Sequence, residues 1–181
     1  MEKYRIRVFY KKDGISRFIS HLYLCKIIER TLRRLDIPLI FTEGFTPHPK
    51  ISFGPPLPIP IIGINEFFEI EVKRKFDMNL FIEMANKILP EGIEFKNCFI
   101  VKKKFSLSSV YGIYYIPLNE KISKEDIYKN GKILEEGENF IRVIFKMENF
   151  NHKKVFKNGL FDGIKRELFI NEDGQIQNFY Q

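Results

Sequence analysis

Two hydrophobic periodicities alternate along the first hundred residues, and their order limits the fold more than any other feature. Residues 3–11 alternate, with Tyr4, Ile6, Val8 and Tyr10 on one side and Arg5, Arg7, Phe9 and Lys11 on the other. That period of two predicts a half-buried strand. From His21 to Leu35 the period lengthens to that of a helix, with Leu24, Ile28, Thr31, Leu32 and Leu35 as the apolar stripe. Ser20 is a good N-cap for it, and Asp36-Ile37-Pro38 ends it, because a residue before proline avoids the helical region. Short extended pieces follow at 39–42 and 50–53. The run Gly54 to Pro60, with Pro55, Pro56, Pro58 and Pro60, fits neither a helix nor a central strand. Phe68, Ile70 and Val72 alternate with Glu69, Glu71 and Lys73 in another strand. Asp77 is placed to cap a second helix running to about Leu89, with Leu80, Phe81, Met84, Ala85 and Ile88 on its buried side, and residues 93–101 read as a strand.

Strand, helix, strand, strand, helix, strand predicts an α+β fold, a ferredoxin-like split unit whose antiparallel sheet carries its helices on one face. Lys102-Lys103-Lys104 and the serines after it mark a junction. Beyond it, strands are expected at 111–117, 140–147 and 164–170, a short helix opening at Ser123 and another over 153–161. A hairpin turn at 171–174 then leads into a last strand at 175–179. The expected organisation is a ferredoxin-like domain at 1–104 and a second, shortened ferredoxin-like half at 105–181.

Charge follows that division. Residues 1–104 hold 19 Lys and Arg against 12 Asp and Glu, whereas residues 105–181 hold 11 against 11. A basic first lobe beside a neutral second one points to an anionic partner on one side, nucleic acid first among them. Lys26, Arg30, Arg33 and Arg34 form a basic stripe on the first helix, away from its apolar face. No window approaches the roughly 20 apolar residues that span a bilayer, and the start lacks the apolar core of a signal peptide. A cytoplasmic protein with two buried thiols, Cys25 and Cys98, is the expectation. No Cys/His spacing suggests a metal, and no phosphate loop, dinucleotide fingerprint or nucleophile elbow occurs, so neither metal nor cofactor is expected.

The residues suited to chemistry fall in two stretches, Arg17-Phe18-Ile19-Ser20-His21-Leu22 and Glu43-Gly44-Phe45-Thr46-Pro47-His48-Pro49-Lys50. The first free N–H groups of a helix favour phosphate or carboxylate, and Arg17 and His21 stand beside them. Pro47 and Pro49 stiffen the chain around His48, and Gly44 permits backbone angles that other residues resist. Lys50 extends the positive patch. Phe45 either stacks on a base or packs beneath the loop, and Glu43 either orients a neighbour or accepts a ribose hydroxyl. Arg17, Ser20, His21, Glu43, Gly44, Phe45, His48 and Lys50 are thus the candidate ligand contacts. Were His21 and His48 to face one cleft, they could serve as general acid and base on a phosphodiester.

These two stretches, with Arg30 to Leu35 and Ile51-Ser52-Phe53 followed by Pro56-Leu57-Pro58, resemble the radical-SAM-linked domain family. Its members occur alone or fused behind radical-SAM proteins with cobalamin-binding segments. The resemblance spans roughly residues 3–100, and the rest in outline. Tyr23 stands where the family usually has aspartate, Thr46 where it has asparagine and Pro60 where it has glycine. The resemblance implies an association with radical-SAM chemistry and no mechanism of its own. The three cluster cysteines of a radical-SAM enzyme are missing, so the chain is not the radical enzyme itself. The combined expectation is a non-catalytic RNA-binding module serving such an enzyme. The alternatives are a metal-independent endoribonuclease using His21 and His48, like the CRISPR repeat-processing enzymes, and a protein-interaction adaptor for a separate radical-SAM subunit.

Overall fold

The computed structural model describes residues 2–118, 124–156 and 163–171. The chain has an α+β fold and divides into two compact units, residues 1–104 and 105–181.

The first unit runs β1 (Tyr4–Lys12), a 3-10 turn (Gly14–Phe18), α1 (His21–Arg34), β2 (Ile51–Phe53), β3 (Ile62–Val72), α2 (Met78–Asn86) and β4 (Ile93–Val101). Its strands lie in the order β4-β1-β3-β2, and every pair is antiparallel. Ile6 sits opposite Ile70 and Val8 opposite Phe68, so the apolar sides of β1 and β3 share one face. Leu24, Ile28 and Leu32 of α1 and Phe81 and Ala85 of α2 pack into the same buried cluster. Burying each of the three α1 side chains contributes roughly 1.5–3 kcal/mol, which fixes the helix far more firmly than its own propensity. The basic stripe of α1 is thereby turned outward.

The helix ends follow local chemistry. Ser20 Oγ accepts the Tyr23 N–H at 3.3 Å, and Asp77 Oδ1 accepts the Asn79 and Leu80 N–H groups, each at 3.0 Å. Asp36 takes the left-handed conformation (φ 48°) just past α1, a position where a short polar side chain is tolerated. The expected strand at 39–42 is reduced to isolated bridges, Leu39 to Val72 and Phe41 to Pro49. The second helix also stops at Asn86, three residues short of the expected Leu89. There the Asn86 side chain donates to Phe95 O at 2.9 Å and accepts from Phe95 N at 2.8 Å, tying the helix end to β4.

The second unit runs β5 (Val110–Pro117), α3 (Lys124–Asn130), β6 (Lys132–Glu136), β7 (Phe140–Lys146), α4 (His152–Val155) and β8 (Lys165–Ile170). Its order, β8-β5-β7-β6, again fully antiparallel, repeats that of the first unit. Tyr114, Phe145, Phe150 and Phe156 stack at its centre with ring centroids 4.8–5.9 Å apart along the chain of contacts. Strand β6 was not anticipated: Lys132-Ile133-Leu134-Glu135-Glu136 is too polar to read as a strand, and its side chains are half-buried or exposed. The α4 helix ends at Val155, so the expected span to 161 is shortened within what is described; Ser123, residues 157–162 and the last strand lie outside the described residues.

Candidate functional site

All the candidate contacts belong to the first unit, and the structure sorts them into separate clusters. The 42–48 loop closes on itself. Thr42 N donates to His48 O at 2.8 Å, and His48 N donates back to Thr42 Oγ1 at 3.0 Å. Lys50 N bonds Ile40 O at 2.8 Å just outside this closure. Gly44 takes φ 130° at the tip, and an added Cβ there would meet nothing within 4 Å.

The loop is then fastened to α1. Arg33 donates to Glu29 Oε1 through Nε (3.0 Å) and Nη2 (2.9 Å), and Nη2 also reaches Pro47 O at 3.2 Å. Its guanidinium lies 5.2 Å from the Phe41 ring centre. His48 Nδ1 lies 3.4 Å from the same Glu29 oxygen. Burial pushes the Glu29 carboxyl up, but the hydrogen bonds and charges of Arg33 and His48 outweigh it and hold the carboxyl below its ordinary value. Glu29 went unnoticed as a site residue, although its spacing of four from Arg33 was the signal for it.

His21 has other company. Its ring meets Phe53 edge-on at 5.8 Å, and Nε2 lies 3.6 Å from Cys25 Sγ. Glu29, which holds His48, is eight residues further along the helix, a rise of about 12 Å. The two histidines therefore anchor different places. Arg17 stacks its guanidinium on Phe18 at 4.8 Å. Lys50 is half-buried and parts from the loop: Ile51 and Phe53 pack against the core under the helices, so strand alternation sends Lys50 to the opposite face. Glu43 is exposed in the loop.

What gathers on the outer side of α1 is a surface. Lys26, Arg30, Arg33 and Arg34 are exposed, and among the described residues neither Lys26 nor Arg30 pairs with an acid. Large apolar side chains stand in the same sequence stretches: Leu22 and Tyr23 on the helix, and Phe45 at the loop tip with a relative exposure of 110%. Phe45 does not pack beneath the loop.

The family assignment follows from the sequence of this same region and beyond. Residues 5–162 match a family described as uncharacterized protein conserved in bacteria, DUF2344. The chain belongs to the DUF2344 family. The matched span takes in both motif stretches of this DUF2344 protein and most of its second unit. No curated protein matches it.

Among the described residues no three metal-ligating side chains converge, and no helix is long and apolar enough to cross a membrane. The thiols are poor nucleophiles. Burial raises Cys25, against a smaller downward pull from a backbone hydrogen bond, and pushes Cys98 up to about 11. At pH 8 the thiolate fraction of Cys98 is then roughly 100-fold below that of a free cysteine. Iodoacetamide is accordingly expected to label Cys98 far more slowly in the native protein than in denaturant. Equal rates in the two states, read by mass spectrometry, would contradict this account of the thiol.

Proposed function

We propose that the outer face of α1 and the loop at its side form an RNA-binding surface without catalytic chemistry, in a protein that serves an RNA-modifying radical-SAM enzyme. The observation that carries the reading is Phe45, an aromatic ring wholly in solvent at the tip of a loop held to α1 through Arg33 and Glu29. A fixed exposed ring beside unpaired cations is the pairing that single-stranded nucleic acid uses, one element stacking a base and the other neutralising phosphates. Tyr23 and Leu22 extend the apolar side of the surface, and Lys26, Arg30 and Arg34 its charge.

The strand order in each unit, fourth-first-third-second, supports reading the protein as two ferredoxin-like domains, the first basic and the second neutral. The radical-SAM association rests on the resemblance of the motif stretches. Binding is favoured over cleavage because a general acid and base must both reach the reacting phosphodiester. His48 is held at Glu29, about two helical turns from His21.

Mobility shifts with a structured RNA bearing single-stranded loops test the proposal. With about four cations engaged, log K should fall with log salt at a slope of about −3. Phe45→Ala should weaken binding by roughly 1–3 kcal/mol, the worth of one stacked base. The melting temperature should not move, since the ring buries nothing. Lys26→Glu with Arg30→Glu should weaken binding further and flatten the salt slope. RNA incubated in EDTA should stay intact. Affinity indifferent to both substitutions would refute the surface, and cleavage that vanishes in His48→Ala would replace binding with catalysis.

A further inference from the structure

A concavity in the first unit involves neither the 42–48 loop nor the 17–22 stretch. It opens between the C-terminal end of α1, the 35–38 turn, the 74–77 turn and the outer side of α2, with a volume of about 570 Å³. That is the size range of small-molecule sites. Leu35, Ile37, Phe76, Leu80, Met84 and Ile88 supply apolar lining, and Leu80 and Met84 leave large apolar side chains in solvent at its wall.

The charges at its mouth are unequal in what they are free to do. Asp77 is engaged in capping α2 through two N–H groups. Lys75 lies over the Tyr4 ring, its Nζ 5.3 Å from the ring centre. Arg34 and Arg74 line the same pocket, are exposed, and make no hydrogen bond or ion pair with any of the described residues. Asp36 also lines the pocket, exposed and in ion pair with neither arginine, so two guanidinium groups face one uncommitted carboxylate. That positive excess over an apolar hollow complements a ligand with the opposite layout. A planar guanidinium donates two parallel N–H bonds to a carboxylate or phosphate, while a methionine wall adapts to an aliphatic or aromatic body.

We propose that this pocket binds an amphiphilic anion, a small molecule with an apolar body and a single carboxylate or phosphate head. The body lies against Leu80 and Met84 and the head meets Arg34 and Arg74. The site shares Arg34 with the RNA surface, whereas Arg74, Leu80 and Met84 take no part there, so variants at those three positions tell the two sites apart.

Anilinonaphthalene sulfonate, itself an apolar anion, is the probe, and the protein's lack of tryptophan keeps the emission background low. The native protein should bind one dye per chain. Octanoate or octyl phosphate should displace it at concentrations at least about tenfold below those at which octanol does, a guanidinium contact being worth about that factor. Whichever of the two anions competes better identifies the head group. Arg74→Ala and Leu80→Gln, both at exposed positions, should each weaken the dye at least about tenfold while leaving the melting temperature and RNA affinity unchanged. No saturable dye binding, equal competition by octanol, or unaltered affinity in both variants would overturn the proposal.

Discussion

Gly92→Ala is expected to destabilise the first unit by about 3 kcal/mol or more, a loss carried by one methyl group. Gly92 stands in the turn just before β4 with φ 83°, where any side chain pays roughly 1–2 kcal/mol for the left-handed conformation. The larger part is steric. A Cβ built there falls 2.4 Å from Asp13 O and 3.0 Å from Ser16 Cβ. Neither neighbour can retreat freely, since Asp13 N donates to Gly92 O at 2.8 Å and Ser16 Oγ donates to Glu91 O at 2.5 Å. The clash sits at a clamp between the end of β1 and the start of β4, and the turn it holds leads straight to Arg17, Ser20 and His21. Gly14→Ala is the control: its φ is 51° and the space around it is empty, so it should show the conformational penalty alone. For a unit of this size the melting temperature should fall by roughly 4–8 °C per kcal/mol. Urea denaturation that places Gly92→Ala no lower than Gly14→Ala would remove the clamp from the argument.

The clamp shows where reading from sequence stops. Periodicity reports which face of an element is buried, and it did so for α1. Leu24, Ile28, Thr31 and Leu32 are buried as the spacing required, and Lys26, Arg30, Arg33 and Arg34 are exposed. The capping roles of Ser20 and Asp77 were equally legible, because a cap is a local matter. Gly92 falls between the second helix and the strand after it, and nothing nearby in sequence announces that Asp13 and Ser16 press against it. Lys50 reads as part of the patch of His48 because a single residue, Pro49, separates them. Strand β2 begins just after Lys50 and sets Ile51 and Phe53 against the core, which leaves Lys50 on the face away from it. Phe45 leaves two readings open; its exposure excludes packing beneath the loop, and the docking of that loop by Arg33, from a helix turn twelve residues earlier, is not announced by any local pattern.

Charge alternation misleads in a related way. Arg5, Arg7, Glu69 and Glu71 look like solvent-facing positions of β1 and β3, yet Arg7 and Glu69 are 4% and 0% exposed. They sit opposite one another in the register of the two strands, 62 residues apart in sequence. Arg7 donates to Glu69 Oε1 through Nε at 3.1 Å and Nη2 at 2.9 Å, and Arg5 Nη1 approaches Oε2 at 3.5 Å. Glu69→Ala should therefore destabilise the protein by about 3–5 kcal/mol, because the guanidinium stays out of water after its carboxylate is gone. The pair itself need not be stabilising. Drawing two charges out of water offsets most of their attraction, so Arg7→Met together with Glu69→Leu is expected within about 1–2 kcal/mol of the parent. Denaturant unfolding of Arg7→Met, Glu69→Leu and the double closes a cycle whose coupling energy isolates the ion pair. A double variant as unstable as the sum of the singles would mean that the two residues act separately, and that the burial of Arg7 is met by some group other than Glu69.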